Sequence, residues 1–296
     1  MKVSEGCKNC YAETLDNRWK GGHWGPSGSR REMSEEYWKQ PVKWNKAAAA
    51  SGKKAKVFCA SMADVFEGTD TCSNADAYAV IFQARIRLFT LIYETPHLTW
   101  QLLTKRPENI MTVLNEVARV MPHAAVRQWL HAWIFRQPPA NVWIGTSVEN
   151  QATAEVRIPY LLRVPASVRF LSCEPLLGPI DLSVIFGLYE YDDNKYAPKC
   201  GSRWASSPDW IIAGGESGHG ARPMHPDWVR MLRDQCAAAD VPFFFKQWGE
   251  WWPGEKGRLY EAKTVNYTDG QQMVKVGKKV SGRLLDGKEH SEFPII

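Results

Sequence analysis

The sequence predicts an α/β protein on a parallel (β/α) barrel, partial or full and TIM-like, with a small appendage at its carboxyl end. Three observations carry this expectation. Six short runs rich in β-branched and aromatic residues recur along the chain, each closing on polar residues. Runs this apolar suit strands covered on both faces, the habit of parallel sheets. Most are followed by a stretch of helical period, so strand and helix alternate as in βαβ units. Finally, 296 residues that are 44% hydrophobic and 23% charged make a folded chain, long enough to close one barrel-sized core.

Taken in order, the strands fall at residues 57–60, 98–103, 142–144, 168–171, 210–213 and 241–245. The helices between and after them fall at 75–93, 107–117, 124–135, 152–162 and 226–239. Pro107 and Pro226 sit where a first helical turn begins, and there a missing N–H costs nothing. Residues 187–208 have no period and read as an inserted loop. The tail is rich in Gly and Lys with short alternating pieces, such as residues 272–276, and reads as hairpin and turns. The expected division is a barrel domain over 1–252, lacking its first strand, and an appendage over 253–296. No internal repeat is evident.

Composition narrows the function classes. The longest apolar runs are broken by Gln83, Arg85 and Arg87, too short for a transmembrane helix, so no membrane partner is expected. The chain reaches a polar, Cys-bearing segment at once, without an apolar signal region. That predicts a cytoplasmic protein with reduced cysteines. A net charge of +5 permits an anionic partner without demanding one. Fourteen Trp are read first as core fillers, becoming stacking platforms only where exposed beside positive charge.

Two signals carry chemistry. The first is Cys7-Lys8-Asn9-Cys10, whose spacing lets both sulfurs face one metal or cluster. Cys59, Cys72, Cys173, Cys200 and Cys236 stand singly and read as buried small residues. The second signal is the set of strand tips, which a parallel barrel gathers at one rim. Ser61 and Asp64 follow the first strand, Lys105 and Arg106 the second, and Ser147 and Glu149 the third. Glu174 follows the fourth, Gly214, Gly215, Glu216 and Ser217 the fifth, and Lys246 the sixth. Carboxylates directly after buried strands need partners, and this singles out Glu174 and Glu216. Each tip serine alone could be no more than a local hydrogen-bonder. The glycine run lacks the spacing of a dinucleotide or phosphate loop, and Gly-x-Ser-x-Gly is absent, so phosphoryl transfer and serine hydrolysis are disfavoured.

The motifs Ser4-Glu5-Gly6-Cys7-Lys8-Asn9-Cys10-Tyr11-Ala12-Glu13, Leu103-Thr104-Lys105-Arg106-Pro107, Ser172-Cys173-Glu174-Pro175 and Gly214-Gly215-Glu216-Ser217-Gly218 are similar to those of a phage and bacterial protein family bearing a three-cysteine motif. The likeness extends through Phe244-Phe245-Lys246-Gln247-Trp248. That family in turn resembles radical S-adenosylmethionine enzymes. The resemblance implies a 4Fe–4S cluster and S-adenosylmethionine as cofactors, with Cys7 and Cys10 as metal ligands. It also implies Ser61, Asp64, Ser147, Glu149, Gly214, Gly215, Glu216 and Ser217 as cofactor-binding residues, and Lys105, Glu174 and Lys246 as catalytic ones. The family's first cysteine would fall directly before Met1, so this chain carries two of three ligands. Either it starts late or this member has lost its cluster; the missing first strand favours a late start.

The competing expectation is a non-redox accessory or nucleic-acid-associated protein of a mobile element, with Lys105, Arg106 and exposed Trp on phosphates and bases, or one serving a partner protein. A third is a structural zinc protein using Cys7 and Cys10 with two distant ligands. The substrate is not legible.

Overall fold

The computed structural model describes residues 3–18, 21–69, 72–187, 207–255 and 261–295. The fold is α/β. Six parallel strands form one sheet in the order β1-β2-β3-β4-β5-β6: β1 Ala55–Cys59, β2 Leu98–Thr104, β3 Val142–Ser147, β4 Val168–Cys173, β5 Trp210–Gly214 and β6 Phe243–Gln247. Each strand neighbours the next in sequence, as consecutive βα units require. Among the described residues the sheet has six strands, not the eight of a full TIM barrel. No described helix is long and apolar enough to cross a membrane.

The chain divides into two compact units. The first holds residues Cys10–Thr146 and Arg163–Arg169. Its helices are α1 Tyr11–Arg18, α2 Glu35–Ser51, α3 Ala75–Glu94, α4 Ile110–Val120 and α5 Ala124–Ile134. β2 and β3 are buried almost throughout, which explains their unbroken apolar runs. α3 starts where the Asn74 side chain accepts the Ala77 N–H at 3.0 Å. α4 buries Ile110, Val113, Leu114, Val117 and Ala118, one stripe at helical spacing. Trp133 fills this core edge-on to Phe89, ring centres 6.2 Å apart, and its Nε1–H donates to the Pro165 carbonyl at 2.7 Å. Buried aromatic N–H groups need such a partner.

The second unit holds Val3–Asn9, Ser147–Leu162 and Phe170–Ile296. It opens with a 3-10 turn over Glu5–Cys7 and includes α6 Gln151–Arg163 up to Leu162, and α7 Pro226–Ala238. Pro226 stands at the first position of α7, as its missing N–H predicts, and His225 Nδ1 accepts the Asp227 N–H as the cap. β4, β5 and β6 pair in register, Phe170 opposite Trp210 and Ile211 opposite Phe243. The far edge of β6 is occupied by the tail: Phe245 N–H donates to the His290 carbonyl, Glu292 N–H to that of Phe243, and Phe293 stacks on Trp210 at 4.9 Å. A covered edge cannot recruit a stray strand.

After the sheet, β7 Trp251–Gly254, β8 Thr264–Asn266 and β9 Gln272–Lys275 form an antiparallel sheet in the order β7-β9-β8, followed by α8 Lys278–Ser281. The inserted loop expected at 187–208 falls almost wholly outside the described residues.

Candidate functional site

In the first unit the tips of β1 and β2 meet at Asp64. Its Oδ1 accepts from Thr104 Oγ1 at 2.7 Å and from the Phe66 N–H, while Oδ2 accepts from the Lys105 N–H at 3.1 Å and from Arg106 Nη1 at 2.9 Å. The carboxylate is thus fully engaged, and the Arg106 side chain beside it is only 7% exposed. This arrangement joins two strand ends and fixes the turn into Pro107. Ser61 lies at the surface, its carbonyl accepting from Tyr11 Oη at 2.8 Å.

The second unit builds its tips around three glutamates. Glu149, after β3, is wholly buried. Its Oε2 pairs with Arg157 Nη1 at 2.9 Å and its Oε1 accepts from Ser4 Oγ at 2.7 Å. The same Arg157 donates to the Ser147 carbonyl at 2.8 Å. A charge this deep persists only when paired. Gly6 passes so close that a Cβ there would lie 2.6 Å from Glu149 Oε1, so only glycine admits the segment.

Glu216, after β5, is gripped on both oxygens by Arg222 (2.7 and 2.9 Å) and receives Asn9 Nδ2 at 3.1 Å. Burial pushes this carboxyl up, but the bonds from Arg222, that from Asn9 and the guanidinium charge together hold it below its ordinary value. Arg222 also donates to the Glu5 carbonyl at 2.9 Å, and Asn9 to the Gly220 carbonyl at 2.7 Å. The Cys7 segment is therefore fastened at both ends, by Ser4 to Glu149 and by Glu5 and Asn9 to the Glu216 cluster.

Glu174, after β4, has a different setting. Lys246 Nζ meets its Oε2 at 2.8 Å and Gln247 Nε2 its Oε1 at 3.1 Å, while the same Gln247 amide donates to Ser217 Oγ at 3.1 Å. Lys246 is half exposed and Glu174 about one fifth, so this group is reachable where Glu149 is not. Gly214 and Gly215 form the floor. Gly215 donates to the Gln247 carbonyl, and a Cβ on it would lie 1.9 Å from the Trp248 carbonyl oxygen.

The second unit thus brings Ser147 and Glu149 to one point, Glu216 to the Cys7 segment, and Gly214, Glu174, Ser217 and Lys246 to another point. Lys105 lies in the first unit with Asp64. Reading by residue type missed Arg157, Arg222, Asn9, Ser4 and Gln247. The demand of a buried carboxylate for a cation was the available signal, and Arg157 answers it from two turns into α6.

For an iron–sulfur cluster the thiols present fit only in part. The Cys7 side chain is buried beside Ser4 Oγ at 3.9 Å, and Cys10 is half-buried. Burial pushes the Cys59 thiol up to about 12 and raises Cys173 and Cys236 as well, which keeps them protonated. Cys72 donates to the Asn74 carbonyl. Among the described residues no cysteines are gathered into a group of metal donors, whereas a cluster with one open iron takes three thiolates. The grouping of potential metal donors found among those residues, His225 with Asp227 and Asp269, contains no thiol.

The comparisons with curated proteins and with solved structures return no match to the chain. Matched over residues 1–294 by the model of DUF5131, described as a protein of unknown function, the chain belongs to that family.

Proposed function

We propose that the protein is a radical S-adenosylmethionine-type enzyme whose working surface is formed by the Cys7 segment and the tips of β4, β5 and β6. One observation supports this reading: residues 4–9, which carry Cys7, are tied by Ser4 to Glu149 and by Glu5 and Asn9 to the Arg222–Glu216 pair, both carboxylates standing just after parallel strands. A loop fixed this firmly is preorganised to hold a group rather than to wrap one. Cys7 and Cys10 would supply two thiolate ligands. A 4Fe–4S cluster held there would supply the one electron that breaks the sulfonium C–S bond of S-adenosylmethionine into methionine and a deoxyadenosyl radical.

The chain's own residues divide the remaining work. Glu149 and Glu216, each neutralised by an arginine, position the loop and are spent on that task. Glu174 and Lys246 form a reachable pair of opposite charges. A ligand carrying both an ammonium and a carboxylate can exchange with that pair, its ammonium on Glu174 and its carboxylate on Lys246. Gln247 holds Glu174 and Ser217 in register for the exchange.

The test is anaerobic reconstitution with iron and sulfide of this chain and of a form extended to carry a cysteine seven positions before Cys7. The extended form should gain visible absorption and bound iron, and release deoxyadenosine from S-adenosylmethionine on reduction, while this chain retains little iron. Cys7→Ala and Cys10→Ala should abolish the iron, and Cys72→Ala should not. An extended protein that stays colourless, or prefers zinc, refutes the reading.

A further inference from the structure

The charge of the chain is segregated. Residues 37–63 hold six lysines, Lys39, Lys43, Lys46, Lys53, Lys54 and Lys56, and no acid. This +6 exceeds the net charge of +5 for the whole protein, so the remaining residues sum to −1. All six lysines are exposed.

They lie on and just after α2, an unusual helix for a βα fold. Of its seventeen residues only Pro41 and Ala48 are buried. Lys39, Lys43 and Lys46 follow the i, i+4, i+7 spacing of one helix face. Tyr37 and Trp44 share a second stripe at i, i+7, and are 51% and 44% exposed. The Gly52 cap, left-handed at φ 67°, ends the helix and leads directly into Lys53 and Lys54. On the adjoining β1, Lys56 and Phe58 point to the same side, with Phe58 half exposed. Glu36 on the same helix pairs with Lys43, and that pair is open to water on both sides and exchanges readily.

We infer that this face of the first unit binds single-stranded nucleic acid, the lysines holding phosphates and Trp44 and Tyr37 stacking bases. Clustered positive charge calls for a polyanion. The exposed aromatic rings call for one with free flat faces, which a single strand offers and a duplex conceals. An anionic bilayer suits the surface less, because it takes a helix whose whole exposed flank is apolar, and α2 shows only Tyr37, Val42 and Trp44 among charged and small residues. Arg106, buried on Asp64, is not part of this surface.

The experiment is fluorescence anisotropy of labelled oligothymidylate of about 20 nucleotides, titrated with the full chain from about 50 to 200 mM salt. The wild type should bind, with a log–log salt slope that falls in magnitude by about 2 in the Lys39→Gln, Lys43→Gln, Lys46→Gln triple variant, at about 0.7 per single-strand phosphate contact. Trp44→Ala should weaken binding about tenfold with its slope unchanged. The substituted side chains are exposed, so circular dichroism of each variant should match the wild type. Absence of binding at the lowest salt, an unchanged slope in the triple variant, equal affinity for a duplex of the same length, or binding to phosphatidylserine vesicles without binding to oligothymidylate each overturns the inference.

Discussion

Replacing Arg157 by Met isolates the energetics that hold the Cys7 segment in place. Methionine keeps most of the aliphatic stem and removes the charge paired with the Glu149 carboxylate, which is 0% exposed and keeps Ser4 Oγ at 2.7 Å and the charge of Arg222. At 2.9 Å and an effective dielectric of about 20 the gross attraction is on the order of 6 kcal/mol. Desolvation of both ions offsets part of this, and removing one partner of a buried pair typically costs about 3–5 kcal/mol. With a urea dependence of about 3 kcal/mol per molar for a chain of this size, the unfolding midpoint should drop by about 1–1.7 M. Adding Glu149→Gln removes the stranded charge and should restore more than half of the loss, a coupling that a double-mutant cycle reads directly. The assay is urea unfolding followed by both fluorescence and circular dichroism, so that separate transitions of the two units are seen if they occur. A midpoint for Arg157→Met within about 0.2 M of the wild type, or a double variant no more stable than the single one, would refute the reasoning.

Gly215→Ala should cost about 3 kcal/mol or prevent folding, because its Cβ would meet the backbone oxygen of Trp248 at 1.9 Å; Gly218→Ala, with nothing within 4 Å, should cost only about 1 kcal/mol of backbone strain, and melting temperatures of the two compare them. Asp286, bonded to Arg230 and then to Arg233, has its carboxyl held down to about 2. A depressed carboxyl stabilises the fold above its unfolded value of about 3.9 and loses that contribution as pH falls through about 2. The site is largely exposed, so screening leaves about 1 kcal/mol. Acid titration of stability should therefore be shallower in Asp286→Asn over that window than in the wild type; parallel curves would contradict the assignment.

Much of this architecture was legible before any coordinates. All six strands were expected within two residues of where they start, because strands buried on both faces announce themselves as unbroken apolar runs. α3, α4, α5, α6 and α7 were legible from amphipathic period. α2 was not: it buries two residues, carries Pro41 inside it and presents lysines, so it lacks the stripe that period-based reading detects. Whether the barrel would be partial or full was not legible, since the local pattern of βα units says nothing about how many close a sheet. At the tips, the glutamates could be named, but not their partners. Ser4 reaches Glu149 across 145 positions and Asn9 reaches Glu216 across 207, and no local pattern encodes such pairings.

Those same spans order events during synthesis. The cysteine segment is the first part of the described chain to be made, yet its anchors, Glu149 with Arg157 and Glu216 with Arg222, emerge only after half and then three quarters of the residues are complete. Long-range contacts of this kind form late, after the intervening elements have folded. The cysteine segment is thus locked only after residues far downstream of it have been made, and both thiols stay accessible to ligands and oxidants throughout that interval.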